Sequence, residues 1–163
     1  DTFEEAKGLK LVGICRNATD HIDLNAASQN GVTVVNSPGR NSKAVAELVI
    51  GLMFSLSRRI PAAHMYVTEH KWENPISPYL ELRGTEVIGK TLGILGLGTI
   101  GSEVATIGKR LGMKVIANDP LVPDERANAL NVSLVDFDFL LKNSDFVTIH
   151  IPSGLGTSPL IDK

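Results

Sequence analysis

Residues 91–101 read TLGILGLGTIG: a short apolar run passes directly into Gly96, Gly98 and Gly101, and a helical pattern follows. No other stretch restricts the fold so strongly. A lone GxGxxG is a weak signal, because 15 glycines among 163 residues can supply one in an ordinary turn. Here the flanks decide. Leu92, Ile94 and Leu95 predict a buried strand, while Ile100, Val104, Ile107 and Leu111 recur at helical spacing before Gly112 stops the helix. Strand, glycine turn and helix stand in the order that cradles the phosphates of a dinucleotide.

Each glycine answers a different need. The first permits the sharp turn out of the strand, the second lets backbone approach a pyrophosphate, and the third lets helix and strand pack closely. Unpaired amides and the positive end of the helix dipole then favour the anion. Residues 114–118 predict a second strand, and Asp119 follows it, 18 positions past Gly101. A carboxylate there accepts hydrogen bonds from a ribose diol and repels a 2′-phosphate. Asn118 and Pro120 bring no offsetting cation, so the expected cofactor is NAD rather than NADP. An Asp before proline without the glycine context would be read as a solvated turn residue.

Composition narrows the class without naming a chemistry. Hydrophobic residues at 43% and charged residues at 21% are ordinary globular usage. The 16 basic and 18 acidic residues are scattered, so neither a nucleic-acid footprint nor a basic membrane surface is expected. Apolar runs break well before the ~18 residues that a membrane span needs. A single cysteine, Cys15, leaves no internal disulfide and no multi-cysteine zinc site, and no metal site is expected. Its apolar neighbours predict a buried thiol, and cytoplasmic location is the expectation.

Along the chain, residues 9–15 predict a strand, Asp23 caps a short helix, Gly31 ends it, and residues 32–36 form a second strand. After Pro38 and Gly39, Ala44, Val45, Leu48, Val49, Leu52, Met53 and Leu56 predict an apolar helix over residues 42–57, with Ser42 as its cap. So broad an apolar face predicts burial on more than one side. Pro61 fits the first turn of another helix, residues 74–83 read as a connecting loop, a polar helix opens near Asp124, and residues 137–141 and 146–151 predict a helix and a strand. The alternation implies a parallel sheet. One strand–helix–strand unit followed by half a nucleotide lobe buries too little surface to be self-sufficient, so the chain is expected to be a portion of a longer enzyme.

Taken in order, LKLVGICRNATDHIDL, NGVTVVNSPGRNSKAVAELVIGLMFSLSRRIP, HKW at 70–72, ELRGTEVIGKTLGILGLGTIGSEVA and SDFVTIHIP resemble the D-isomer-specific 2-hydroxyacid dehydrogenases over nearly all 163 residues. The resemblance implies an α/β fold of two flavodoxin-like or Rossmann-like lobes with the active site between them. Residues 1–38 would end the flavodoxin-like substrate lobe; residues 39–163 would supply the interlobe helices and the first half of the Rossmann-like, parallel-sheet NAD lobe. By the same resemblance, Asn17, Ala18 and Thr19 form a loop whose backbone amides hold the substrate carboxylate, although the family's loop is richer in glycine. Ser37 marks a hinge beside the nicotinamide, Thr99 and Ile100 lie over the pyrophosphate, and Ile151 and Pro152 line the adenosine.

The implied activity is NAD-dependent oxidation and reduction of D-2-hydroxy acids, with phosphoglycerate, glycerate and lactate all open as substrates. Hydride transfer needs a cation to orient the substrate and a general acid–base for the hydroxyl proton. The family's Arg, Glu and His for these roles fall beyond the equivalent of Lys163, so no catalytic residue is assigned and the 163 residues alone are expected to be inactive. Two other readings stand beside this one: a non-catalytic, NAD-sensing corepressor-like interaction protein, and a dimerisation module built on the helix at 42–57. A homodimer through that helix is the expected assembly.

Overall fold

The computed structural model describes residues 2–69 and 74–151, and the chain divides into two compact units, Asp1–Lys43 and Ala44–Lys163. In the first unit, α1 (Thr2–Glu5) precedes β1 (Leu11–Ile14), α2 (Leu24–Gln29) and β2 (Thr33–Asn36). The two strands pair in parallel from Leu11 opposite Thr33 to Ile14 opposite Asn36. Asp23 caps α2, its Oδ1 accepting from the Ala26 amide at 2.9 Å, and Gly31 leaves the helix at φ +66°. Ile14, Ala27 and Val32 are the buried apolar side chains of this unit.

β1 is shorter than its apolar run suggests. It ends at Ile14, so Cys15 enters a bend and is exposed rather than buried. The run of apolar letters continues past the last paired residue, and pairing, not hydropathy, sets where the strand stops.

α3 (Ser42–Ser57) leads into the second unit, followed by α4 (Ile60–Glu69) and α5 (Ile76–Glu81). Ser42 is the first helical residue rather than a cap. Its hydroxyl donates to the Gly39 carbonyl at 2.9 Å instead of accepting from the helix. α5 falls within residues 74–83, which the two prolines made look like a loop. Pro75 and Pro78 lie at its start, where helical amides lack intrahelical partners, so they cost no hydrogen bond there. Asn74 completes the start by accepting from the Ile76 amide at 2.9 Å.

A four-stranded parallel sheet forms the second unit's frame: β3 (Thr91–Leu95), β4 (Lys114–Asn118), a two-residue β5 (Ser133–Leu134) and β6 (Phe146–Ile149), in the order β5-β4-β3-β6. α6 (Thr99–Arg110), α7 (Asp124–Ala129) and α8 (Phe137–Asn143) connect them. β3 is central and covered on both faces, which is why its sequence is apolar without alternation. Leu92, Ile94 and Leu95 are 1%, 0% and 2% exposed, and each stabilises the fold by roughly 1.5–3 kcal/mol. Val104 and Ala105 of α6 and Leu140 of α8 are fully buried on this sheet. α3 divides its apolar residues: Ala46 and Met53 join the core, while Leu48, Leu52 and Leu56 are 61%, 55% and 76% exposed.

Candidate functional site

β3 pairs with β4 on one side and with β6 on the other, so the strand order reverses at β3. In open parallel sheets of this kind, ligands bind beyond the carboxyl ends of the strands at such a reversal. The glycine turn lies there. Gly96 leaves β3 at φ +90°, and its amide donates to the Asn118 carbonyl at 2.9 Å. A Cβ on Gly96 would come within 2.7 Å of Ile151 Cγ2 and 2.9 Å of the His150 carbonyl oxygen. A Cβ on Gly101 would lie 2.0 Å from the Gly96 carbonyl oxygen, so only glycine lets α6 begin this close to the strand.

Gly98 differs from both. It occupies the N-cap of α6, makes no side-chain cap, and has open space where a Cβ would stand. No side chain therefore satisfies the first amides of α6, and Thr99 is exposed while Ile100 is half-buried. An uncapped helix start with open space above it suits a phosphate.

Asp119 ties the second strand to this turn. Its Oδ2 accepts from the Leu97 amide at 2.8 Å and its Oδ1 from the Leu121 amide at 3.0 Å. Each carboxylate oxygen has about two acceptor sites, so capacity remains for a ribose diol. Two residues absent from the sequence reading join in. Ser102 Oγ donates to the Leu97 carbonyl at 3.1 Å and accepts from Arg126 Nη2 at 3.2 Å. Arg126 thus brings to the first turn of α6 a cation that the residues flanking Asp119 did not reveal; nothing in local spacing announces a contact across 24 positions.

At the end of β6, the His150 amide donates to the Leu95 carbonyl at 2.7 Å, and its Nε2 lies 2.9 Å from Thr148 Oγ1. Burial pushes the His150 imidazole below its ordinary range. Ile151 borders Gly96; Pro152, like His70 and the HKW segment, lies outside the described residues. Among the described residues, no group of three His, Cys, Asp or Glu side chains is placed to hold a metal ion, and no helix is long and apolar enough to cross a membrane.

The first unit carries its own cluster. The carbonyls of Arg16, Asn17, Ala18 and Thr19 all accept: from the Ser37 amide at 3.3 Å, Asn36 Nδ2 at 2.8 Å, Arg16 Nε at 3.1 Å and the Ile22 amide at 2.9 Å. The amides of Asn17, Ala18 and Thr19 have no acceptor among the described residues. Each of these carbonyls holds one donor, while the three amides are left to donate elsewhere. Ser37 joins this loop through its own amide.

Residues 50–163 match the NAD-binding domain of the D-isomer specific 2-hydroxyacid dehydrogenases, and the chain belongs to that family. Within it, D-3-phosphoglycerate dehydrogenase of Archaeoglobus fulgidus is 45% identical over all 163 residues, which span 30% of that relative. A D-lactate dehydrogenase from Lactobacillus jensenii, solved with NAD+, is 32% identical at a TM-score of 0.74; the similarity covers 90% of this chain and 42% of that one. An acyclic imino acid reductase solved with NADPH and D-Arg is 30% identical at a TM-score of 0.77, covering 93% of this chain and 47% of that one. The fold is therefore the Rossmann-type α/β class, in a family whose domain takes NAD.

Proposed function

We propose that this chain supplies the cofactor-holding half of the active site, together with a substrate-carboxylate loop, in an NAD-dependent oxidoreductase of D-2-hydroxy acids, D-3-phosphoglycerate among them. On this reading residues 1–38 end the substrate lobe and residues 39–163 open the nucleotide lobe. The observation that carries it is the turn at Gly96, Gly98 and Gly101 with the Asp119 carboxylate bonded to the Leu97 amide inside it.

Gly98, Thr99, Ile100 and Gly101 would present amides to the pyrophosphate, Asp119 would accept from the adenosine ribose, and Ile151 and Pro152 would line the base. Ser37 would sit on the nicotinamide side. The amides of Asn17, Ala18 and Thr19 would hold the substrate carboxylate, since successive backbone N–H groups without acceptors suit an anion. Bound NAD would supply a hydride acceptor at nicotinamide C4. No described histidine is given the proton-transfer role; His150 Nε2 is engaged with Thr148 Oγ1 at 2.9 Å. A corepressor role draws no support from the relatives matched.

The test lies at Asp119. In the unaltered protein NAD binds more tightly than NADP, because the carboxylate opposes a 2′-phosphate. Asp119→Asn removes the charge and, with one oxygen left to accept, keeps only one of the two bonds to the Leu97 and Leu121 amides. It weakens NAD by about 1.5–3 kcal/mol and narrows the preference, since Arg126 then stands near the turn without an opposing carboxylate. Fluorescence titration with both dinucleotides measures this, and tighter NADP binding by the unaltered protein would overturn the assignment.

A further inference from the structure

We propose that Arg16 is a positioning residue for the anion loop of the first unit: with Asp20 it forms a clamp that keeps the Ala18 carbonyl turned in and the amides of residues 17–19 turned out. The proposal rests on reading residues 17–19 as the substrate-carboxylate loop.

A loop without glycine can present carbonyls or amides to a ligand, and an anion accepts only the second arrangement. Three of the four relevant carbonyls are held by groups that the fold itself brings up: the Ser37 amide after β2, the Asn36 side chain at its end, and the Ile22 amide in the next turn. Among the described residues the Ala18 carbonyl has a single donor, Arg16 Nε at 3.1 Å. The same guanidinium places Nη2 on Asp20 Oδ1, one helical spacing along the chain. Two donors on one rigid planar edge therefore fix two points of the loop at once, which an ammonium on a flexible stem cannot do.

The charges bear on the role as well. Arg16 holds the Asp20 carboxyl below its usual range, so Asp20 stays ionised through neutral pH. His21 Nδ1, 3.7 Å from the same oxygen, is the other titratable group facing Asp20. The side chains are 53% and 69% exposed, and an ion pair so open to water adds little to stability. What it does is orient. Removing it should leave the fold intact and disturb the direction of the loop's peptide groups.

The measurement is made on the full-length protein with NAD bound, using D-glycerate as the probe. Hydrogen–deuterium exchange reports protection of residues 15–22, and calorimetry gives the affinity. In the unaltered protein D-glycerate slows exchange in this segment. Arg16→Met raises the D-glycerate Kd about tenfold while Tm and NAD affinity stay unchanged, and Arg16→Lys fails to restore it. Asp20→Asn weakens binding similarly, and the double variant is no worse than either single one, as expected of groups acting as a unit. Unaltered affinity in Arg16→Met, full rescue by lysine, or additive losses would overturn the clamp. A drop in Tm that tracks the loss in affinity would reduce Arg16 to a structural residue. Absence of protection in the unaltered protein would remove the carboxylate-loop reading itself, and the clamp with it.

Discussion

Gly98 and Gly101 are three positions apart and fail differently when a methyl is added. At Gly101 the new Cβ meets the Gly96 carbonyl oxygen at 2.0 Å, so α6 must shift away from β3. Gly101→Ala is expected to cost about 1–3 kcal/mol of stability and to abolish measurable NAD binding. At Gly98 the φ of −68° suits any residue and nothing lies within 4 Å, so Gly98→Ala should fold normally, within about 0.5 kcal/mol. It should still weaken NAD at least tenfold, because the methyl stands where a phosphate would approach. Melting curves and dinucleotide titration on both variants separate the two effects; normal NAD affinity in Gly98→Ala would place the phosphates elsewhere. Both glycines, and Asp119 beyond them, were legible in the sequence because each answers a local need. Arg126 and Ser102 were not, since their contact depends on how α7 folds back onto α6.

At the scale of elements, the apolar character of α3 was plain in the sequence, but its division into two faces was not. Met53 is 5% exposed and Leu48 61%, although both are large apolar residues five positions apart on one helix. Met53→Ala should therefore cost about 2–5 kcal/mol. If the homodimer expected from the sequence forms through this helix, Leu48→Glu combined with Leu52→Glu should shift the sedimenting mass to that of a monomer. An unchanged dimer would exclude this helix as the interface. α5 shows the opposite failure: prolines usually signal a break, yet in the opening turn of a six-residue helix they remove no bond. The two-residue β5 had no period to detect, being too short for alternation to register.

The whole molecule couples folding to pH through His150. Burial lowers its proton affinity in the folded state, so the unfolded chain binds the proton more tightly. The resulting stability is present above the ordinary histidine value of 6.5 and is lost as pH falls through the lowered folded value. Asp20 and Asp145 act in a lower window. Arg16 bonding lowers the first carboxyl, and the Thr91 amide followed by Lys90 lowers the second, so their contribution stays in place above 3.8 and is lost only as pH falls through their lowered values. Tm should thus decline between pH 7 and pH 5 in the unaltered protein and decline less in His150→Gln. Parallel curves would show that the buried imidazole has no part in it.

The sequence alone determined the glycine turn, the acidic residue after the second strand, the helix stop signals and the parallel α/β class, because these follow from contacts within a few residues or from a repeating period. Tertiary structure decided which face of α3 is buried, that Cys15 is exposed, that Arg126 reaches Ser102, and that the carbonyls of residues 16–19 each hold a donor while the amides of residues 17–19 have no acceptor among the described residues. Those outcomes depend on where distant segments arrive, and one-dimensional spacing carries no record of the direction in which a peptide group or a guanidinium finally points.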